Sequence, residues 1–212
     1  MTTASADARR AALAAGLERL GNDHPALATV LAEVGAPEPR ILEPGFGSLL
    51  RIVVGQQVST AAAAAIWDRL AAAGGDDAAR FLAFDDPELG RIGLSRAKMR
   101  YGRALAEAVA DGTLDPHGLS NLSGAEVSAR LTALPGIGRW TAEIYRMFAL
   151  GDPDVFPVGD LALREGVRMA LDLEARPDHP DRGVAAGTQR RRPAALAAVS
   201  ASARHRRPRR RR

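Results

Sequence analysis

The sequence predicts an all-α protein, a multi-helix bundle whose helices are joined by short loops. Ala- and Leu-rich segments follow one another along most of the chain, and Ser, Asp, Pro and Gly stand where helices begin and end. One β-branched run, Ile52-Val53-Val54, resembles a strand, but it is short and helical periodicity flanks it on both sides. Helical signals therefore outweigh strand signals throughout.

Each helix is predicted from its own start and stop signals. Pro25 is suited to a first helical turn, and Ser59, Ser95 and Ser123 can each cap a helix N-terminus. Glu126, three residues after Ser123, completes a capping box. The predicted helices, in chain order, are 6–20, 25–34, 46–54, 60–73, 96–111, 124–133, 139–150 and 161–171.

Composition excludes several classes of site. The chain has no Cys, which rules out disulfides, a Cys-rich zinc site and a Cys-ligated iron–sulfur cluster. No stretch of 18 apolar residues predicts a membrane span, and the N-terminus lacks the basic start and apolar core of a secretory signal. We therefore expect a cytoplasmic protein that acts as a monomer.

The net charge of +4 hides a strong asymmetry along the chain. Residues 176–212 contain 12 Arg and only two acids, Asp178 and Asp181, for a net charge of +10. Residues 1–175 hold the other 17 basic and 23 acidic residues, for a net charge of −6. Any contact with nucleic acid in that part must come from backbone amides and a few placed cations, since it has no general basic surface.

The Arg/Ala/Pro-rich tail, residues 176–212, is predicted to be disordered because it has too few apolar residues to form a core. One hypothesis is a frameshifted C-terminus that starts near Pro177. Codons can be chosen for residues 195–200 so that another frame reads Arg-Trp-Arg-Pro-Tyr-Arg. The alternative is a natural basic tail that binds nucleic acid. The nucleotide sequence decides between them, because the frameshift requires a frame that encodes this peptide.

The segment Leu134–Gly138, LPGIG, is a predicted tight turn between two helices. Its two glycines permit positive φ, and their amides can point outward together with the start of the next helix. Such amides bind an anion, and a DNA phosphate fits them. A single acid, Asp160, follows Gly138 by 22 residues and immediately precedes a helix. It is either a helix N-cap or a group that carries acid–base chemistry.

Four segments in order resemble the helix-hairpin-helix DNA glycosylase superfamily, most closely the 3-methyladenine DNA glycosylase II family. They are LLRIVVGQQVS (49–59), GLSRAKMRY (93–101), LPGIGRWTAEIY (134–145) and DVFPVGDLALR (154–164). The resemblance implies one glycosylase domain, residues 22–175. Family members often carry an additional β-rich N-terminal domain, which we do not expect in this chain.

The resemblance also implies roles for single residues. Asp160 matches the superfamily's catalytic acid. Trp140 stands where lyase-competent relatives hold a nucleophilic Lys, so we expect a monofunctional hydrolase whose indole stacks on the damaged base; core packing is the alternative. Gln57 occupies the position of the wedge that enters the DNA stack, with Gln56 beside it; a polar pair at a helix end is the alternative.

The hairpin is expected to supply the remaining contacts. The predicted DNA-binding residues are Gln56, Gln57, Gly136, Ile137, Gly138, Arg139 and Thr141. The backbone carbonyls of Thr132, Leu134 and Gly136 are expected to bind a monovalent cation, as the family hairpin does. We expect no other cofactor and no iron–sulfur cluster.

The resemblance therefore predicts an enzyme of base excision repair. It would hydrolyse the N-glycosidic bond of alkylated bases, chiefly of the 3-methyladenine type, in double-stranded DNA. Two alternatives remain open at this stage: a non-catalytic helix-hairpin-helix DNA-binding module, and an inactive glycosylase with a damaged C-terminus.

Overall fold

The computed structural model describes residues 3–153, 155–170 and 174. The all-α prediction is confirmed: the described residues form helices and loops and contain no strand. Their α-helices are α1 (Thr3–Asp23), α2 (Pro25–Val34), α3 (Phe46–Val54), α4 (Thr60–Ala72), α5 (Ala78–Ala83), α6 (Asp86–Ile92), α7 (Arg96–Ala110), α8 (Gly124–Thr132), α9 (Arg139–Tyr145) and α10 (Leu161–Ala170). A 3-10 helix spans Gly118–Asn121, and a π-helix spans Arg146–Leu150.

The chain divides into two compact units. The first consists of Met1–Ile41 and Gly151–Arg212, and in its described part α2 packs against both α1 and α10. The fully or nearly buried side chains of these helices are Leu17, Leu20, Leu27, Leu163 and Val167, and Val155 and Phe156 are buried in the segment before α10. The predicted domain, residues 22–175, contributes to both units.

The second unit, Leu42–Leu150, contains one continuous hydrophobic core. Helix α7 packs against α3 and α5, and α9 packs against α3 and α8. Six of the nine residues of α3 are buried, which explains how its β-branched residues can be helical: tertiary burial outweighs their weak strand preference. The largest fully buried side chains of this unit are Tyr145, Phe81, Leu49, Leu50, Leu70, Leu89, Leu105, Leu119 and Leu131.

The predicted serine caps are confirmed in detail. The side chains of Ser59, Ser95 and Ser123 accept hydrogen bonds from the amides three residues later, and both bonds of the Ser123–Glu126 capping box are present. The bounds predicted for α2 and α3 are also those observed.

Several predicted bounds were wrong: α4, α7 and α8 each end one residue earlier than predicted, and α1 begins at Thr3 rather than at residue 6. Helix α1 continues through Gly21 to Asp23, where the sequence predicted an end at Leu20. Gly21 therefore does not end α1, and a Cβ built on it would meet Ala28 of α2 at 3.6 Å, an ordinary van der Waals contact. The predicted single helix 139–150 changes from α to π geometry after Tyr145. The predicted end of α10 at Leu171 lies outside the described residues.

Helices α5 and α6 were missed because both are short. Their caps were nonetheless present in the sequence: the Asp77 side chain caps α5, and Asp85 forms a capping box with Glu88 at the start of α6. None of the described helices is long and apolar enough to cross a membrane. The predicted tail, residues 176–212, lies outside the described residues.

Candidate nucleic-acid interface and catalytic carboxylate

The predicted hairpin joins α8 to α9 through a compact turn. The Leu134 amide donates to Leu131 O at 3.1 Å, and the Ile137 amide donates to Leu134 O at 3.2 Å. Gly136 has φ +79°, the left-handed conformation that favours glycine. The Gly138 carbonyl accepts from the Ala142 amide at 3.1 Å, so Gly138 is the N-cap of α9.

The hairpin residues that the sequence predicts to bind DNA differ in their exposure. Ile137 is buried in the hydrophobic core and its amide is bonded within the turn, so it holds the hairpin in place. Thr141 is only 2% exposed, so its side chain faces the interior. Gly138 and Arg139 are exposed, and an added Cβ on Gly138 would meet open space. The surface of the turn is therefore formed around Gly138.

Gln56 is bound to the hairpin from the other side of the sequence. Its Nε2 donates to Gly136 O at 3.0 Å and to Thr141 Oγ1 at 2.9 Å. One amide group thus joins the α3–α4 loop, residues 55–59, to both the turn and the first helical turn of α9. The Nε2 donor is thus engaged inside the protein, and the predicted contact of Gln56 with DNA stays a prediction.

Gln57 has an unusual backbone. Its φ of +57° makes it the only non-glycine residue in the described part of the chain with positive φ. The left-handed region costs a residue with a Cβ about 1–2 kcal/mol. Strain of this kind persists only where the surroundings fix it, and it is concentrated at functional positions. The side chain is exposed, as a wedge requires.

Arg139 is the first residue of α9, and its exposed side chain forms an ion pair with Glu143. Its Nε donates to Glu143 Oε1 at 2.7 Å; the Arg139 side chain is 76% exposed, whereas that of Glu143 is 7% exposed. Glu143 Oε2 is buried and has no hydrogen-bond partner among the described residues. The pair engages Nε, and the Arg139 side chain remains largely exposed at the start of α9, where its guanidinium can bind a phosphate.

Trp140 is half-buried and packs partly against the hydrophobic core of the second unit. The buried part of the indole therefore packs in the core, as the alternative interpretation of Trp140 predicts. A half-buried ring can still present one face, so the contact leaves the proposed stacking role intact.

Asp160 caps α10 in the first unit. Its Oδ1 accepts from the Ala162 amide at 3.0 Å and from the Leu163 amide at 2.9 Å. The Asp160 carbonyl accepts from the Arg164 amide at 3.0 Å, and its own amide donates to Pro157 O at 2.9 Å. The prediction that Asp160 is a helix N-cap is therefore confirmed. The two hydrogen bonds of the cap also hold the half-buried carboxylate in one orientation at the positive end of the helix.

Tyr145, the last residue of α9, is fully buried. Its hydroxyl accepts from the Gly45 amide at 3.0 Å and donates to Pro116 O at 3.2 Å. Burial is the main cause that raises the pKa of Tyr145 to about 12. The neutral phenol thus holds α9 to two loops of the second unit, a role that the sequence did not suggest.

Comparison with known proteins establishes the family. The model of the HhH-GPD superfamily, described as base excision DNA repair proteins, matches residues 50–182. This chain belongs to the HhH-GPD superfamily. The predicted resemblance is thereby confirmed, and the match includes the α3–α4 loop, the hairpin and Asp160. It also continues to residue 182, beyond Pro177, where the frameshift hypothesis placed the change of frame.

Two curated relatives and one solved structure illustrate the similarity within the HhH-GPD superfamily. A probable bifunctional transcriptional activator/DNA repair enzyme, AlkA, from Mycobacterium tuberculosis is 36% identical over 159 residues, which are 70% of this chain and 32% of the relative. DNA-3-methyladenine glycosylase 1 of Schizosaccharomyces pombe is 32% identical over 133 residues, covering 58% of this chain and 56% of the relative. The chain thus spans about a third to just over half of these relatives.

The solved structure is a 3-methyladenine DNA glycosylase of Schizosaccharomyces pombe in complex with abasic DNA. It superposes with a TM-score of 0.71 at 28% identity, covering 82% of this chain and 89% of that chain. This likeness agrees with the predicted helix-hairpin-helix glycosylase fold.

Proposed function

We propose that this protein is a monofunctional DNA N-glycosylase that removes alkylated bases, chiefly of the 3-methyladenine type, from double-stranded DNA in base excision repair. The observation that carries the proposal is the carboxylate of Asp160, which two amides at the start of α10 hold in one orientation in a chain of the HhH-GPD superfamily. The names of the relatives, DNA repair enzyme and DNA-3-methyladenine glycosylase, support the same reaction.

The chemistry follows from the charge that develops on the sugar. Breaking the N-glycosidic bond gives the deoxyribose oxocarbenium character. The Asp160 carboxylate stabilises that cation electrostatically and orients or deprotonates the attacking water. Because its orientation is set before DNA binds, little reorganisation is needed at the moment of reaction. The alkylated base already carries positive charge, which makes it a good leaving group.

Trp140 and the scarcity of lysine support hydrolysis without strand cleavage. A lyase needs an amine that attacks the sugar and forms a Schiff base. Trp140 has none, and Lys98 is the only lysine in the sequence. Its Nζ donates to Val54 O at 2.6 Å, within the second unit. The Trp140 indole instead provides an aromatic face, which attracts a cationic alkylated purine by stacking and cation–π interaction.

DNA is held at the hairpin in this proposal. The Gly136 and Gly138 amides and the exposed Arg139 guanidinium bind one backbone phosphate, while Gln57 fills the space that the flipped nucleotide leaves. Flipping costs a few kcal/mol, which a wedge in the vacated space offsets. The buried side chains of Ile137 and Thr141 and the bonded amide of Gln56 hold this surface in shape. We propose that the enzyme acts as a monomer in the cytoplasm, the compartment in which we expect its DNA.

A monovalent cation at the hairpin completes the phosphate site. The carbonyl oxygens of Thr132, Leu134 and Gly136 would hold it. Leu134 O already accepts from the Ile137 amide and Gly136 O from Gln56 Nε2, but a carbonyl oxygen has two lone pairs, so both bonds are compatible with a cation. The cation would supply positive charge next to the phosphate. We propose no other cofactor.

The second candidate is a non-catalytic DNA-binding module. It is favoured by one observation: the hydrogen bonds of Asp160 are those of an ordinary N-cap, which needs no catalytic role to explain it. A damaged, inactive glycosylase predicts the same result in an activity assay, namely DNA binding without excision.

The proposal is tested with a duplex that contains one 3-methyladenine-type lesion. The free base should appear in solution, and the strand should break only after alkali converts the abasic site. Strand cleavage without alkali would contradict the monofunctional assignment. Binding to the duplex without release of a base would contradict the proposal and favour one of the two inactive alternatives, the non-catalytic module or the damaged glycosylase.

A further inference from the structure

Lys98 forms a long-range hydrogen bond with the C-terminal end of α3. Its Nζ donates to Val54 O at 2.6 Å, across 44 residues of sequence. Val54 is the last residue of α3 and is fully buried. The last four carbonyls of a helix have no donor within the helix, and a cation is favoured there by the helix dipole. Lys98 therefore supplies both a hydrogen bond and a complementary charge at this helix end.

The backbone of Lys98 is itself fixed. It lies in the first turn of α7, where its amide donates to the Ser95 Oγ that caps the helix. Burial lowers the pKa of the Lys98 ammonium below its ordinary value, which is a further sign that the group is directed into the protein. Helices α3 and α7 pack against each other within the second unit. The bond from Nζ thus joins two packed helices at a defined point.

The strained Gln57 follows this point by three residues. The Gly55 amide donates to Arg51 O and Ile52 O at 3.1 Å each, and the Gln56 amide donates to Val53 O at 3.2 Å. The Gln56 side chain, immediately before Gln57, is bound to the hairpin. The segment that leads into Gln57 is therefore held at two points, by Lys98 at Val54 O and by the hairpin at Gln56.

We infer that Lys98 is a positioning residue for the wedge: by fixing the end of α3 it holds Gln57 in its left-handed conformation and directs its side chain toward the DNA stack. The inference rests on the proposed function. Lys98 is not a catalytic residue in this account, because its ammonium is engaged with Val54 O and acts only through the α3–α4 loop. A preset wedge matters because flipping is the step that the wedge stabilises.

A direct contact between Lys98 and a DNA phosphate is the competing explanation. It makes a different prediction, since loss of one phosphate contact weakens binding to all duplexes and lowers the salt dependence of binding by about one ion. Loss of a positioning bond leaves the affinity for undamaged duplex and its salt dependence unchanged. Arg96→Met is the matched control, because it removes an exposed cation from the same turn of α7 and leaves Val54 O untouched.

The decisive experiment is a double-mutant cycle on single-turnover excision. Lys98→Met should lower the excision rate about tenfold, as expected for loss of one charge-assisted hydrogen bond. Gln57→Ala should lower it directly, and the double variant should be no slower than Gln57→Ala alone. Lys98→Arg, which keeps a donor, should recover most of the rate. Independent, multiplicative losses in the double variant, or a wild-type rate for Lys98→Met, would overturn the inference.

An NMR measurement on the free protein separates this inference from the proposed function. Uniform 15N labelling allows the backbone amide resonance of Gln57 to be followed in each variant. In Lys98→Met the backbone amide resonance of Gln57 should shift strongly, whereas in Arg96→Met it should stay in place. An unmoved Gln57 amide in Lys98→Met overturns the inference even in an active enzyme. Failure of the wild-type protein to release any base overturns the proposed function and leaves this measurement as the test of Lys98.

Discussion

The ring of Tyr101 fills the space that a side chain at Gly136 would need. A Cβ built on Gly136 would overlap the Tyr101 ring atoms, and Gly136 also has φ +79°. Two independent restrictions, one steric and one conformational, therefore require glycine at this turn. Gly138, two residues later, has neither: its φ is −87° and its Cβ would meet open space. The two glycines of LPGIG thus have different roles, one in the fold and one at the surface.

Alanine at each position separates these roles. Gly136→Ala should destabilise the protein by more than about 1 kcal/mol, because Ala is disfavoured at positive φ and would displace Tyr101. Gly138→Ala should leave the thermal midpoint nearly unchanged but weaken DNA binding, since a methyl group would stand where the phosphate approaches. Thermal unfolding and duplex binding on both variants provide the measurement. If Gly138→Ala bound DNA like the wild type, the phosphate would not approach this turn.

The Gln56 contact predicts a stability effect. Thr141→Val removes one acceptor of the Gln56 Nε2 donor and should destabilise the protein by about 1–3 kcal/mol, because the buried site then holds a polar group with one partner fewer. Thr141→Ser keeps the hydroxyl and serves as the matched control. Urea unfolding measures both. Equal midpoints for the Val and Ser variants would show that this hydrogen bond is not significant.

Tyr145 predicts a pH dependence of stability. Its folded-state pKa of about 12 lies above the value of about 10 in an unfolded chain, so folding favours the protonated phenol. The resulting stabilisation is complete below about pH 10 and is lost as the pH rises through about 12. Tyr145→Phe should abolish this dependence and should also lower stability at neutral pH, since the Gly45 amide and Pro116 carbonyl lose their partner. Urea unfolding at pH 8 and pH 11 tests both statements.

The sequence predicted the elements that local signals specify. The Ser caps, the Pro25 start and the apolar α3 were all readable because each depends on residues within one helical turn. The hairpin around Gly136 and the acid Asp160 could be recognised because the segment LPGIG and the 22-residue distance from Gly138 to Asp160 are visible in the sequence itself. The contacts of Gln56, Lys98 and Tyr145 were not, since each joins residues between 29 and 100 positions apart. Such pairs are set by helix packing, which leaves no local pattern.

Trp140 predicts a preference for cationic bases. Trp140→Ala should lower excision of a cationic lesion about tenfold more than excision of a neutral lesion, because the cation–π interaction is lost only for the former. Trp140→Phe should keep much of the preference, and Trp140→Lys should not create an efficient lyase, since an amine also needs a lowered pKa and an aligned sugar. Rate ratios for paired lesions provide the test. Covalent trapping of the wild-type protein on lesion DNA by borohydride would contradict the monofunctional assignment.

The central claim is that the Asp160 carboxylate carries the reaction, and Asp160→Asn tests it most directly. Asn caps a helix about as well as Asp and keeps the oxygen that accepts from Ala162 and Leu163, so the fold should persist while the negative charge is lost. Asp160→Ala, which also loses the cap, should be less stable by about 1 kcal/mol. Single-turnover release of 3-methyladenine should fall by at least about a hundredfold in Asp160→Asn while its affinity for the same duplex is retained. Release at the wild-type rate by Asp160→Asn would contradict the account.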